Sequence, residues 1–95
     1  MKVIVISKEC YNFIGVADTL EHAIDFLMDK DWLNEETTIS IFNDKINYWE
    51  DVPVTERFGK YWGNTLRGAK NCDELNDAFC GLFFFEEVDI YTGED

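Results

Sequence analysis

Positive charge is scarce in this chain. Eight lysines and arginines stand against twenty aspartates and glutamates, a formal charge of −12, and such a balance repels DNA, RNA and anionic membranes. Histidine occurs once, at His22, so neither a two-imidazole metal site nor a thiol–imidazole pair with a choice of partner is on offer. The three cysteines, Cys10, Cys72 and Cys80, are odd in number and form no CxxC pair. If residues 72–80 are helical, Cys72 and Cys80 lie about 12 Å apart along the axis, too far for a disulfide. Small buried thiols are the expectation.

Other absences narrow the field further. No apolar run approaches the roughly 20 residues of a membrane span, and the first residues lack the charged-then-apolar pattern of a secretory signal; a cytoplasmic protein without a membrane partner is expected. There is no GxSxG, HExxH or EF-hand loop, and the segment Gly63–Gly68 lacks the GK[ST] of a phosphate-binding loop. The doublets Glu35–Glu36, Glu50–Asp51, Asp73–Glu74 and Glu86–Glu87 supply paired carboxylates, but among twenty acids such doublets arise by chance and do not mark an acid–base pair. No cofactor, metal or catalytic residue is expected, and the chain reads as a non-enzyme.

What is present is a core. Apolar residues make up 46% of the 95 residues, with eight Phe, four Tyr and three Trp, which is incompatible with intrinsic disorder and enough for one domain. Asp18–Asp31 reads as the organising helix: Leu20, Ala23, Ile24, Leu27 and Met28 keep the i, i+3, i+4, i+7 spacing of a buried stripe. Asp18 stands at its expected N-cap with Glu21 at the capping-box position. Trp32 is expected to pack under its far end, which has no closing glycine.

Around this helix the strands are short. Met1–Ser7 and Phe13–Ala17 read as a hairpin, and Thr37–Phe42 and Ile46–Val52 as a second one turning through Asn43–Lys45. The single proline, Pro53, ends the latter. Val54–Ala69 keeps helical spacing but is interrupted by Gly59, Gly63 and Gly68, and is expected to be loosely helical or irregular. Asn71–Cys80 reads as a capped helix closed by Gly81, Leu82–Tyr91 as an aromatic strand, and the last four residues as a frayed tail. The expectation is one α+β domain over residues 1–95, in the order ββαββ(α)αβ, with a small antiparallel or mixed sheet and helices on one face.

The charge is distributed unevenly. Residues 1–56 carry twelve acids and four bases, residues 57–70 four bases and no acid, and residues 71–95 eight acids and no base. The aromatics Phe58, Tyr61 and Trp62 interleave with Arg57, Lys60, Arg67 and Lys70 in a composition that also suits single-stranded nucleic acid. The stronger reading is that the aromatics enter the core and the cations neutralise neighbouring acids. On the organising helix, Asp18, Glu21, Asp25 and Asp29 fall in one column. Like charges at i, i+4 cost roughly 0.2–0.5 kcal/mol each, and acids near a helix C-terminus oppose its dipole. Stability alone does not call for them. One charge per ~6 Å of helix is sparser than the one per ~1.7 Å of a duplex, so Asp31, Glu35, Glu36 and Asp44 would have to join the column on one surface for it to imitate DNA.

Tyr11-Asn12…Gly15, the AIDFL helix, Glu35-Glu36 and Ile41-Phe42-Asn43-Asp44 resemble the first domain of plasmid antirestriction (alleviation of restriction of DNA) proteins. The family's Gly-x-Trp is replaced by Gly15-Val16-Ala17, and residues 53–95 take no part in the resemblance. In size and acidity the chain also resembles phage anti-CRISPR proteins, a functional class without a shared motif. Both resemblances imply a phage or mobile-element inhibitor that blocks a basic, nucleic-acid-binding site on a host defence nuclease. Its contact residues are then expected to be Asp18, Glu21, Asp25, Asp29, Asp31, Glu35, Glu36 and Asp44. An immunity protein or antitoxin neutralising a toxic nuclease is the alternative within the same electrostatics, and a small carboxylate-dependent enzyme the alternative outside it.

Overall fold

The computed structural model describes residues 2–9 and 12–90 of the chain. The protein is an α+β fold with two antiparallel sheets. Its elements are β1 (Lys2–Lys8), β2 (Asn12–Ala17), α1 (Leu20–Asp29), β3 (Thr38–Asn43), β4 (Tyr48–Pro53), α2 (Val54–Phe58), α3 (Trp62–Arg67), α4 (Cys72–Phe79) and β5 (Phe83–Asp89). Where one sheet was expected there are two: a three-stranded sheet in the order β2-β1-β5, and a separate β3–β4 hairpin. The frayed tail and Cys10 fall outside the described residues.

The alternation of β1 decides the layers. Ile4 and Ile6 point to one face and are buried with Phe83 and Phe85 of β5. On that face α1 inserts Ala23, Ile24 and Leu27, joined by Leu33, Ile39, Val54, Leu66, Leu75 and Phe79 in one core cluster. A single cluster fed by both sheets and by α1–α4 makes the two sheets parts of one packed body. Phe79 meets Phe83 edge-on, ring centroids 5.2 Å apart. Helix α1 approaches β2 so closely that a Cβ on Gly15 would meet the Phe26 ring at 2.5 Å, so glycine is required at that contact.

Helix ends depart from the sequence reading in three places. The N-cap of α1 is Thr19, not Asp18: Thr19 Oγ1 accepts the His22 N–H at 3.1 Å, which frees Asp18 to pair with the His22 ring. The far end closes through Asp31 in the left-handed region (φ +60°), with the Trp32 and Leu33 N–H groups returning to the Leu27 carbonyl. Leu33, rather than Trp32, is the buried residue there; Trp32 is exposed, with Lys8 Nζ 5.1 Å from its ring centroid. Helix α4 ends on Cys80 at φ +52°, one residue before Gly81. Its N-cap is Asn71, whose Oδ1 accepts the Glu74 N–H at 2.8 Å, as the sequence implied.

The glycine-rich stretch is two short helices, α2 and α3, broken at Gly59, whose φ of +85° few other residues adopt. The hairpin turn is one residue longer than expected. Asn43 pairs with Tyr48, so Asp44–Asn47 form the turn and Ile46 leaves the strand. Pro53 both ends β4 and precedes α2 as its N-cap.

The outer edge of β5 is covered in a way that no periodicity reveals. Asn76 of α4 donates from Nδ2 to the Phe85 carbonyl at 3.0 Å, and its Oδ1 accepts the Phe85 N–H at 2.8 Å. One side-chain amide thereby replaces a neighbouring strand and satisfies both backbone groups.

Candidate functional site

Eight acids were expected as contact residues, and the fold places them in five settings. Asp18 lies just before α1 and accepts from the His22 ring nitrogen Nδ1. That hydrogen bond, reinforced by attraction between the charges, lifts the imidazole above its ordinary value and holds the Asp18 carboxyl below the usual carboxylate range. Asp18 is therefore a local ion-pair partner rather than an unengaged contact residue.

Asp25 keeps its place in the column, but its charge is paired. Arg67 of α3 donates from Nε to Asp25 Oδ1 at 2.7 Å, with both side chains half-buried. The same guanidinium reaches Met28 Sδ at 3.3 Å and Asn64 Oδ1 at 3.3 Å. Helix α3 crosses α1 here because Gly63 carries no side chain; a Cβ would meet Met28 Cε at 2.8 Å. The column along α1 therefore has a neutralised member in its middle. The exposed remainder is Glu21 and Asp29, eight residues or about 12 Å apart.

The loop after α1 is the denser cluster. Asp31, Asn34, Glu35 and Glu36 line an open hollow of ≈ 370 Å³. Asn34 organises it: Nδ2 donates to Asp31 Oδ1 at 3.0 Å, Oδ1 accepts the Glu36 N–H at 2.8 Å, and the Asn34 N–H donates to Thr37 Oγ1 at 2.9 Å. Three acids are thus held together, exposed, on a loop with its own hydrogen-bond frame. Asp44 is not among them. It sits in the β3–β4 turn, about 20 Å along the strand from Thr38 at ~3.3 Å per residue.

The hairpin end carries the surface that charge counting overlooks. Phe42 and Trp49 are directly opposite in register and their ring centroids lie 5.4 Å apart. Trp49 is 61% and Tyr48 69% exposed, and Ile46 in the turn is exposed too. The hairpin also carries the acids Asp44, Glu50 and Asp51, against the single base Lys45. Alternation in the strand already places Trp49 on the opposite face from Val52. The sequence does not tell that this face stays exposed.

Three of the four cations of residues 57–70 make contacts within the fold. Arg67 holds Asp25. Arg57 Nε donates to the Ala78 carbonyl at 3.2 Å and its Nη2 approaches Cys80 Sγ at 3.9 Å, satisfying the C-terminal end of α4 and its dipole. Lys60 lies over the Tyr61 ring at 5.7 Å. Arg67 alone among them pairs with an acid, and Tyr61 stays exposed rather than entering the core, so the expected neutralisation and burial hold in part. Of the thiols, Cys72 is half-buried and Cys80 exposed, so the expectation of uniformly buried cysteines fails at Cys80. Burial pushes the Cys72 thiol up, and Glu87 and Asp73 push it further, which disfavours a reactive thiolate. Among the described residues no cluster of three His, Cys, Asp or Glu is arranged to hold a metal ion, and no helix is long and apolar enough to cross a membrane.

The fold is that of a small α+β protein with most of its acids exposed. No family model, no curated protein and no solved structure matches this chain.

Proposed function

We propose that the protein is a non-enzymatic acidic inhibitor, encoded by a phage or mobile element, that occupies a basic, nucleic-acid-binding site on a host defence nuclease. The observation that carries this reading is the unspent charge. The ion pairs among the described residues engage Asp18, Asp25 and Glu87, and Glu21, Asp29, Asp31, Glu35, Glu36 and Asp44 remain without one. Fixed, solvated acids cost stability through mutual repulsion, and a Lys/Arg-lined partner relieves it. The Asn34-framed loop supplies the densest acids, and the hairpin supplies Trp49 and Tyr48, residue types that anchor protein interfaces. Helix α1 alone, with two charges about 12 Å apart, does not reproduce phosphate spacing. The acidic contact is therefore centred on the loop.

The test is capture of host proteins on the immobilised chain at low salt, followed by elution with duplex DNA. Nucleic-acid-handling enzymes are the expected eluate, and the captured nuclease should lose activity when the chain is added. The variant Glu35→Lys/Glu36→Lys should lose capture, whereas Asp73→Lys/Asp77→Lys, equal in net charge, should retain it. Equal losses would reduce the effect to bulk charge, and no loss in either would overturn the proposal.

A further inference from the structure

The three-stranded sheet has a second face, and it is apolar. Residues directly opposite in an antiparallel register point the same way. Val3 faces Val88, Val5 lies between Val16 and Glu86, and Ser7 lies between Phe13 and Phe84. These side chains alternate with Ile4, Ile6, Phe83 and Phe85 and so emerge opposite α1. None of Val3, Val5, Phe13, Val16, Phe84 or Val88 belongs to the core cluster or packs against it. Phe13 is 65% and Val16 54% exposed. A sheet with one solvated face ordinarily turns polar residues outward; here the outward row holds six apolar side chains, one serine and one acid.

Charge selects the occupant. In a chain of net charge −12, this face carries Glu86, α4 brings Asp73 to its β5 rim, and β2 (Asn12–Ala17) has no charged residue at all. A basic partner finds almost nothing here to complement, and nucleic acids and anionic membranes are repelled by the chain as a whole. A second copy brings another flat, nearly uncharged face and keeps the acids of both chains outside the contact. Two sheets stack face to face about 10 Å apart as the layers of a sandwich. Three strands ~4.8 Å apart and about seven residues long present roughly 14 by 23 Å. Two such faces, with side-chain relief, bury on the order of 1,000 Å² in total, where specific interfaces begin.

We propose that this open face of the β2-β1-β5 sheet is the contact of a reversible homodimer, two copies packing sheet on sheet. The assembly is isologous, each residue of the row contributing twice. Its salt dependence has the opposite sign to that of partner capture: screening weakens the repulsion between two acidic copies, so dimerisation strengthens as salt rises.

Sedimentation velocity on the full chain, across a wide concentration range at low and high salt, tests this. A concentration-dependent dimer favoured by salt is expected. Val16→Glu and, separately, Phe13→Lys should each weaken it at least tenfold while leaving the far-ultraviolet circular dichroism unchanged, since both side chains are outside the core. A monomer under every condition would overturn the proposal. So would a dimer insensitive to both variants and lost in Trp49→Ala, which would move the contact to the hairpin. A monomeric chain whose capture of a different protein is abolished by Val16→Glu would assign the face to that protein instead. A wild-type chain that dimerises as expected but captures no nucleic-acid-handling enzyme would count against the inhibitor reading alone.

Discussion

Arg67 Nε stands 2.7 Å from Asp25 Oδ1, joining the base-rich, acid-free stretch 57–70 to the middle of the helix with the acidic column. The pair shows where part of the charge imbalance is absorbed. It also revises the energetics of α1, since Asp25 is no longer a residue that the helix would be better without.

Stability should therefore respond unequally but measurably at both faces of α1. Leu27 is fully buried, and Leu27→Ala should cost roughly 2–5 kcal/mol. Asp25→Ala should cost about 0.2–1 kcal/mol rather than stabilise, the ordinary range for a partly solvated ion pair. Urea unfolding of Asp25→Ala, Arg67→Ala and the double variant would show a favourable coupling; stabilisation by Asp25→Ala would contradict the pairing.

At the edge of β5, Asn76→Ala removes two hydrogen bonds and leaves the Phe85 N–H and C=O without partners. The expected cost is about 1–3 kcal/mol, with increased aggregation as the strand edge is exposed. An unchanged unfolding midpoint in denaturant would show that the amide is dispensable.

The Asp18–His22 pair gives a pH signature. His22 is raised in the folded chain, so its contribution is complete below the ordinary value near 6.5 and is lost as pH rises through the folded one. Asp18 is lowered, so its contribution is present above about 3.9 and is lost as pH falls through the folded value. The pair thus acts between those limits, with a small effect because both groups are solvated. Proton NMR should show His22 titrating above 6.5 and returning toward it in Asp18→Asn. An identical titration in the two proteins would remove the interaction.

At the hairpin, Trp49→Ala should change stability by less than about 1 kcal/mol, the scale of one exposed cross-strand pair with Phe42. If the hairpin anchors the acidic contact, the same variant should weaken partner capture at least tenfold. Capture that is unaffected would confine the contact to the loop acids.

Much of the secondary structure was legible from local pattern. The apolar stripe of α1, the Asn71 cap of α4 and the β-branched runs of the hairpins each follow from spacing, because neighbours along the chain decide which face is buried. Boundaries that depend on capping competition were less legible. Asp18 and Thr19 are both good N-caps, and the His22 ring, by engaging Asp18, leaves Thr19 to accept the backbone N–H.

The sequence by itself determined the acidity, the single core and the α+β class, since composition and periodicity do not depend on how elements are placed. Only the tertiary structure decided which charges remain available and which apolar residues stay uncovered. Arg67 is 42 positions from Asp25, and no local rule pairs them. Likewise β1 reads as apolar on both faces, but whether helices cover one face or two depends on where α1 and α4 pack. Both feed the core on the Ile4 and Ile6 side of the sheet; on the Val5 side α4 reaches only the β5 rim, and the part formed by Phe13 and Val16 is left open.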